Sequence, residues 1–149
     1  MTVKELLQQK GQSHISLEGD ASVEDAINMM LAKKISSLLV TDHGKTVGIF
    51  TERDVLKSYV VEKKKAFGDI LLRDAMTRDL IVADNDDDIC QIMSIMTARS
   101  IRHLPVIEEG RIIGMLSMRD IIKSQVTELR SKIRYFRDYV SGMQGGLWI

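Results

Sequence analysis

Hydrophobic positions in the first third of the chain change their spacing twice, and each change predicts an element. The apolar residues within 23–31 follow the i, i+3, i+4 spacing of an amphipathic helix, and Ser22 precedes them as a candidate N-cap. Two short apolar runs on either side of Gly44 then predict a β-hairpin. With a short strand at 15–17 and a second helix from about Glu52, the predicted unit is strand, helix, strand, strand, helix.

The same pattern recurs 66 residues later without a gap. Between residues 14–57 and 80–123, 12 of the 44 aligned positions are identical, and the repeated helix has Asp88 as its candidate N-cap. A copy of about 50 residues would bury little core alone, so the two copies are expected to pack together about an approximate two-fold axis. The predicted fold class is α/β (α+β), with two β-α-β-β-α repeats.

The expected boundaries are 10–62 for repeat 1 and 74–127 for repeat 2. Residues 1–9 predict a short N-terminal helix outside the repeats, and 128–149 a continuation of the last helix to about Val140, followed by a Gly-rich tail. Apolar residues of this last helix are spaced alternately by four and three, like the seam of a coiled coil. That spacing suits packing on the protein's own body as well as a dimer contact. The residues are Ile122, Val126, Leu129, Ile133, Phe136 and Val140.

Composition narrows the functional classes. Lys and Arg number 21, as do Asp and Glu, and this balance argues against a sequence-independent nucleic-acid binder. The single cysteine, Cys90, cannot form an internal disulfide. The sequence has neither a recognisable signal peptide nor a run of about 18 apolar residues. We therefore expect a cytoplasmic protein with no nucleic-acid or membrane partner.

Two predicted strand-to-helix junctions carry the candidate chemistry. In each, a strand glycine such as Gly48 is followed by a hydroxyl residue and, three positions later, a carboxylate: Thr51 with Asp54, and Ser117 with Asp120. This is the spacing of a capping box, which would only satisfy the helix N-terminus. It also suits a nucleotide, because a helix N-terminus attracts phosphate, a carboxylate can bind a ribose diol, and a glycine permits close approach. The spacing alone is compatible with a capping box and with a nucleotide site. Its occurrence in both repeats favours a ligand.

Together these features resemble a known family. The repeated unit and its Gly-x-x-Thr/Ser-x-x-Asp ending are similar to a pair of cystathionine-β-synthase (CBS) domains, or Bateman module, over about residues 10–125. The segments 51–54, 75–77 and 101–106 are typical of that family, and the greatest resemblance is to stand-alone CBS-pair proteins. It implies that each motif aspartate holds the ribose of an adenine nucleotide. Apolar strand residues of the partner repeat would then enclose the adenine, and basic residues before its second strand would meet the phosphates.

Transferred by position, the resemblance implies two unequal ligand sites. The first would combine the repeat 1 motif with repeat 2: Thr51, Asp54, Ile81, Val82, Ile101, Arg102 and His103. The second would combine the repeat 2 motif with repeat 1: Ser117, Asp120, Ile15, Ser16, Ile35, Ser36 and Ser37. Four further cations are candidates to turn toward the second site: Arg53, Lys57, Arg119 and Lys123. Because the second site otherwise offers phosphate only hydroxyls, we expect Asp54→Ala to weaken nucleotide binding more than Asp120→Ala.

No metal site or catalytic set is expected. Asp84, Asp86 and Asp88 have the first spacings of an EF-hand loop, but the required glycine and final glutamate are absent. The three histidines are dispersed, and the sequence has no nucleophile elbow, P-loop or dinucleotide fingerprint.

The expected function is therefore a non-catalytic regulatory module that binds AMP, ATP or NAD between its repeats and signals to a regulated protein. The alternative is a structural or interaction module with degenerate, unoccupied sites. Arg102 and His103 favour a phosphorylated ligand over S-adenosylmethionine. The resemblance further implies a homodimer assembled through helices. The sequence identifies neither the regulated partner nor a role for the tail that carries Trp148.

Overall fold

The computed structural model describes residues 1–11 and 14–148, without the side chains of 143–148. The first half of the described chain contains α1 (Val3–Lys10), β1 (Ser16–Glu18), α2 (Val23–Lys33), β2 (Ser37–Asp42), β3 (Lys45–Thr51) and α3 (Glu52–Val61). The second half contains a short 3₁₀ helix (Phe67–Asp69), α4 (Leu72–Ala75), β4 (Ala83–Asp84), α5 (Ile89–Arg99), β5 (His103–Glu108), β6 (Arg111–Ser117) and α6 (Met118–Trp148).

The strands form two three-stranded sheets with the same topology, which confirms the predicted fold class. The sheet orders are β1-β2-β3 and β4-β5-β6, with the first pair parallel and the second antiparallel. Val40 pairs with Gly48, Val106 pairs with Gly114, and each hairpin has a register shift directly after that valine. The duplication is therefore preserved down to the irregularities of the hairpins.

The first strand of each repeat is displaced from its predicted position. β1 begins one residue after the predicted Ile15, and β4 begins at Ala83, the last residue of its predicted span. Ile15 and Ile81 instead pack against the cores of repeats 1 and 2, respectively. Their apolar character therefore reflects burial, although the Ile15 carbonyl already accepts a hydrogen bond of 2.9 Å from the Leu39 N–H of β2.

One predicted helix cap is confirmed, and the other holds only in position. The Ser22 hydroxyl accepts a hydrogen bond from the Asp25 N–H, and the Asp25 carboxylate accepts one from the Ser22 N–H, each at 3.0 Å. Asp88 lies at the N-cap of α5, but its side chain makes no capping hydrogen bond. The amino group of Met1 instead lies 3.8 Å from Asp88 Oδ1.

The segments that precede the two repeats are exchanged, each packing on the other repeat. Val3, Leu6 and Leu7 of α1 are buried in the core of repeat 2. Ile70 and Leu72, which precede repeat 2, are buried in the core of repeat 1. We expected residues 1–9 to form a helix outside the repeats. The helix exists, but its apolar face completes the second core.

Backbone hydrogen bonds fix this exchange. The Val3 N–H donates to the Asp87 carbonyl, and the Leu72 N–H donates to the Ala21 carbonyl, both at 2.8 Å. Asp87 and Ala21 are equivalent positions of the two repeats, 66 residues apart. The two exchanged segments therefore dock in the same way, one on each repeat.

The segment 62–82, which connects α3 to β4 and is called the linker below, also pairs with the sheet of repeat 1. Ile49 and Thr77 exchange two backbone hydrogen bonds of 2.9 Å. A Cβ atom on Gly48 would lie 2.5 Å from Met76 Sδ and 2.8 Å from the Thr77 carbonyl oxygen. We expected this glycine to admit a ligand, but the structure fills the space beside it with the linker.

The final helix is longer than predicted. α6 extends to Trp148, past the expected end near Val140 and through the glycines expected to loosen the chain. Glycine lowers helix stability by about 1 kcal/mol, but it ends a helix only where the backbone turns into the left-handed region. None of the helices in the described chain combines the length and apolar content needed to cross a membrane. We call six exposed apolar residues the α6 stripe: Ile122, Val126, Leu129, Ile133, Phe136 and Val140.

Replacing Gly48 with alanine should destabilise the fold, because the added methyl group overlaps the linker backbone. We expect the free energy of unfolding to fall by about 1–3 kcal/mol in urea titrations. Gly142→Ala is the matched control, since its methyl group meets nothing within 4 Å. The control should be neutral or slightly stabilising. Equal stabilities of the two variants would contradict the close packing of the linker on β3.

Candidate functional site

A cavity of about 770 Å³ opens between the two repeats. Lys10 of α1 contributes to its wall, together with residues of both repeats. Repeat 1 contributes His14, Ile15, Lys33, Lys34, Ile35, Ser36 and Ser37. Repeat 2 contributes Arg102, His103, Met115, Ser117, Met118, Arg119, Asp120 and Lys123. The cavity is therefore the place where the β6–α6 junction of repeat 2 faces the start of β2 in repeat 1.

This cavity brings together most of the residues assigned to the second predicted site. All of them line it except Ser16, whose side chain is exposed on β1. The predicted cations Arg119 and Lys123 line it as well, whereas Arg53 and Lys57 do not. The structure therefore brings these predicted residues together around one cavity.

The structure groups Arg102 and His103 differently from the sequence expectation. They were assigned to the site of Asp54, but both line the cavity that contains Asp120. The His103 Nε2 atom lies 2.7 Å from the Ser36 Oγ atom, at hydrogen-bonding distance. Residues 36–37 and 102–103 are equivalent in the duplication, so they approach each other where the repeats meet. Residues assigned to separate sites thus border one cavity.

Asp120 lies in the first turn of α6 and forms the predicted capping box. Its Oδ2 atom accepts a hydrogen bond of 3.0 Å from the Ser117 N–H, and its own N–H donates to the Ser117 hydroxyl at 3.1 Å. The Lys10 ammonium also donates to Asp120 Oδ2, at 2.6 Å. Burial raises the pKa of Asp120, but hydrogen bonds from Lys10 and Ser117 and the charge of Lys10 outweigh it and lower the pKa overall. Asp120 is therefore an ionised acceptor.

Sequence reasoning missed Lys10. Its ammonium donates to the Met115 carbonyl as well as to Asp120, and so joins the end of α1 to both β6 and α6. The amphipathic pattern of residues 3–10 predicted the helix but not the surface on which it packs. Lys33, Lys34 and His14 were missed for a similar reason, since they lie outside the family motif.

The charge of the cavity is strongly positive. Asp120 is the one carboxylate among the residues lining the cavity. The cations that line it are Lys10, Lys33, Lys34, Arg102, Arg119 and Lys123. Burial lowers the pKa of His103, and Arg102 and Lys10 lower it further, against the opposing effects of Glu52 and Asp120. Such a concentration of cations is suited to an anion.

Asp54 has a different environment, although its sequence motif is nearly the same. Its side chain is only 3% exposed. The Oδ2 atom accepts hydrogen bonds from the Thr51 N–H at 2.9 Å and the Thr51 hydroxyl at 3.3 Å. The Oδ1 atom accepts one from the Thr77 hydroxyl at 3.0 Å. Both carboxylate oxygens are therefore bonded to the protein itself.

In the described part of the chain, the hydrogen bonds to the Asp54 carboxylate come from Thr51 and Thr77 and from none of the other residues of the first predicted site. Ile81 and Ile101 pack against the core of repeat 2, and the side chain of Val82 is exposed. Arg53 donates a hydrogen bond of 2.7 Å to the Ser100 carbonyl, at the C-terminal end of α5. Arg53 thus connects the repeats by binding a helix end.

A second cavity of about 510 Å³ lies beside the sheet of repeat 1, where carboxylates such as Asp20 and Asp42 face Arg73 and Arg78. None of the predicted site residues lines it. Within the described residues, no group of three or more His, Cys, Asp or Glu side chains is arranged to hold a metal ion.

Comparisons with known proteins agree with this architecture. The family model for the CBS domain matches the chain twice, at residues 3–61 and 72–127. The CBS domain-containing protein CBSX3, mitochondrial, of Arabidopsis thaliana is 30% identical over 152 residues, covering 95% of this chain and 72% of that protein. Across the first curated relatives that it matches, the chain spans between 20% and 72% of their length.

Solved structures give the same result. The CBS-domain protein ATU1752 from Agrobacterium tumefaciens superposes with a TM-score of 0.80 at 35% identity, covering 84% of this chain and 99% of that one. The CBS domain pair of the protein MJ0100, solved in complex with 5′-methylthioadenosine and S-adenosyl-L-methionine, superposes with a TM-score of 0.74 at 26% identity. That match covers 86% of this chain and 98% of the other. The predicted resemblance is confirmed: the chain belongs to the CBS domain family and carries two CBS domains in tandem.

Proposed function

We propose that this protein is a regulatory module that binds an adenine nucleotide in the cavity containing Asp120. The observation that carries the proposal is the single ionised carboxylate at a helix N-terminus, set among six cations in one cavity. A carboxylate in this position can accept both hydroxyls of a ribose. Ile15 and Ile35 offer apolar surface for the adenine, and the cations offer charge-assisted hydrogen bonds to phosphate.

The positive charge of the cavity favours some adenosine-containing ligands over others. The MJ0100 domain pair was solved with two adenosine derivatives that carry no phosphate. In the present cavity, a sulfonium cation such as that of S-adenosylmethionine would be repelled by Arg102, Arg119 and the surrounding lysines. AMP, ATP and NAD bring the opposite charge, so we propose a ligand of this class.

In this proposal Asp120 is the main ligand-binding aspartate, whereas the sequence predicted that Asp54 would be the more important of the two. Asp120 faces a cavity and is 25% exposed. Asp54 is buried, and its two oxygens already accept hydrogen bonds from Thr51 and Thr77. Because Asp54 is almost fully buried, a ribose has little access to it, so we propose that the Asp120 cavity is the site that is occupied.

The structural alternative has one supporting observation. The Asp54 carboxylate accepts hydrogen bonds from Thr51 at the start of α3 and from Thr77 of the linker, so the motif aspartate has a packing role. A module in which Asp120 also serves only packing would bind no nucleotide. The two functions therefore differ in a direct binding measurement.

The module is proposed to act without catalysis, passing the occupancy of its site to a separate regulated protein. A sensor needs two states that differ in ligand affinity. A cytoplasmic location stays a prediction from the sequence.

We also propose that the protein forms a homodimer through the α6 stripe. All six residues of the stripe are between 40% and 64% exposed. Their alternating spacing of four and three matches the contact face of paired helices. A contiguous apolar surface of this kind marks an interaction site.

A ligand panel tests the proposed function directly. We expect ATP, ADP, AMP or NAD to raise the melting temperature, because a ligand at 100 times its Kd adds about 2.7 kcal/mol to the free energy of unfolding. S-adenosylmethionine should have a smaller effect. ATP and NAD recovered after incubation should be chemically intact. The absence of a shift with every adenine compound at millimolar concentration would contradict the sensor and support the structural alternative.

Substitution of the two motif aspartates separates binding from folding. Asp120→Ala should weaken the binding of ATP at least about tenfold in calorimetry, because a charged acceptor for the ribose is lost. Asp54→Ala should leave the affinity nearly unchanged but lower the free energy of unfolding by about 1–3 kcal/mol, because buried donors at Thr51 and Thr77 lose their partner. A larger loss of affinity in Asp54→Ala would restore the original ranking of the sites.

The dimer proposal predicts that Ile133→Asp shifts the protein to a monomer in analytical ultracentrifugation, because a charge is placed in the α6 stripe. Leu31→Asp is the matched control, since Leu31 is an exposed leucine on α2, outside the stripe. The control should sediment like the wild type. A wild-type protein that is monomeric at high micromolar concentration would rule out this interface.

A further inference from the structure

The protein itself forms an ion pair in the cavity. The Lys10 ammonium lies 2.6 Å from Asp120 Oδ2, the carboxylate oxygen to which the Ser117 N–H also donates. Lys10 is 28% exposed and Asp120 is 25% exposed, so water screens the pair only in part. The contact joins residues 110 positions apart in the sequence.

We propose that Lys10 competes with the ligand for Asp120 and thereby sets the specificity of the site for phosphorylated nucleotides over nucleosides. This inference rests on the proposed function, since it assumes that Asp120 receives the ribose.

The competition follows from the number of acceptor oxygens. A ribose diol donates two hydrogen bonds and engages the carboxylate most strongly when both oxygens are accessible. With Lys10 in place, Oδ2 already accepts from Lys10 and Ser117. The ligand must therefore displace the ammonium, or accept a weaker contact through Oδ1 alone.

The cost of displacing Lys10 depends on the ligand. A nucleoside brings no negative charge, so the released ammonium loses its partner without a replacement. A phosphorylated ligand brings new anionic oxygens to the same cavity, and these can accept from the released ammonium. The ion pair therefore lowers the affinity for an uncharged nucleoside more than the affinity for a phosphorylated nucleotide. This difference between the two affinities is the specificity of the site.

The position of Lys10 is fixed by packing rather than by the ion pair alone. Val3, Leu6 and Leu7 anchor α1 in the core of repeat 2. Lys10 is the last residue of this helix, and Gly11 directly after it has a φ of 96°. Its ammonium also donates to the Met115 carbonyl. The side chain is therefore held beside Asp120 by an element that stays in place when the ammonium moves.

Among the described residues, no cation makes the corresponding contact with Asp54 of repeat 1. The corresponding carboxylate, Asp54, is bonded by the neutral hydroxyl of Thr77. The competitor is thus confined to the carboxylate that faces the cavity.

The test compares Lys10→Met with Lys123→Met, using adenosine and ATP as probes in calorimetry. Lys123 also lines the cavity and serves as the control for the loss of one positive charge. Lys10→Met should bind adenosine about fivefold more tightly than the wild type, the upper range for a partly exposed ion pair. Lys123→Met should weaken the binding of ATP and should not strengthen the binding of adenosine. Unchanged or weaker adenosine binding in Lys10→Met would overturn the competition.

A second measurement needs no ligand. In the wild type, a carbon-detected NMR titration should give Asp120 a pKa below that of an ordinary aspartate, and Lys10→Met should raise it. An Asp120 pKa that is the same in both proteins would show that the ion pair does not form in solution and would overturn the proposal.

The two proposals fail in different ways. If the wild type binds ATP but the Lys10 substitution leaves the preference for ATP over adenosine unchanged, the specificity role is wrong and the nucleotide site stands. If neither ligand binds any of the proteins, the proposed function is wrong, and the specificity role is overturned with it.

Discussion

The architecture depends on the reciprocal burial of the two leading segments. Neither repeat completes its core from its own residues: repeat 2 requires Val3 and Leu7 of α1, and repeat 1 requires Ile70 and Leu72 of the linker. Removing a buried leucine of this kind typically costs about 2–5 kcal/mol, far more than a surface contact. Because each segment is held by hydrophobic burial in the opposite repeat, the repeats cannot separate without exposing both cores. The cavity between them therefore has fixed walls.

The same exchange explains why two nearly identical motifs have different chemistry. The linker passes beside β3 and brings the Thr77 hydroxyl to Asp54, whereas α1 brings the Lys10 ammonium to Asp120. Because the donor to Asp54 is neutral and the site is closed, Asp54 is suited to a structural cap. Because Asp120 lies at an open cavity and its donor is a cation, it is suited to be an ionised acceptor whose partner can be exchanged. The motif determines where each carboxylate lies. The segment from the other repeat determines what that carboxylate can do.

This division also marks how far the sequence could predict the structure. The two hairpins and the helices that flank them follow from local patterns, and the constant offset of 66 placed the second copy of each correctly. The leading segments dock at equivalent places but are offset by 69, since Val3 corresponds to Leu72. The ungapped alignment ended before them, so the exchange was not detected. No repeated pattern in the sequence marks the contact between Lys10 and Asp120. The position of Arg102 in the same cavity as Asp120 follows from how the two repeats pack, which the local sequence patterns do not specify.

The location of Asp120 also links the cavity to both ends of the molecule. Asp120 is in the first turn of α6, the helix that carries the α6 stripe, while Lys10 ends the N-terminal helix. Ligand binding shifts an equilibrium only through contacts that differ between two states. The exchange of Lys10 for a ribose hydroxyl is such a contact, because it frees the Lys10 side chain while α1 remains anchored by Val3, Leu6 and Leu7. A signal carried by this exchange would first reach α1 and the start of α6. This mechanism rests on the proposed nucleotide site, involves only the ends of these helices and does not require the two repeats to move apart.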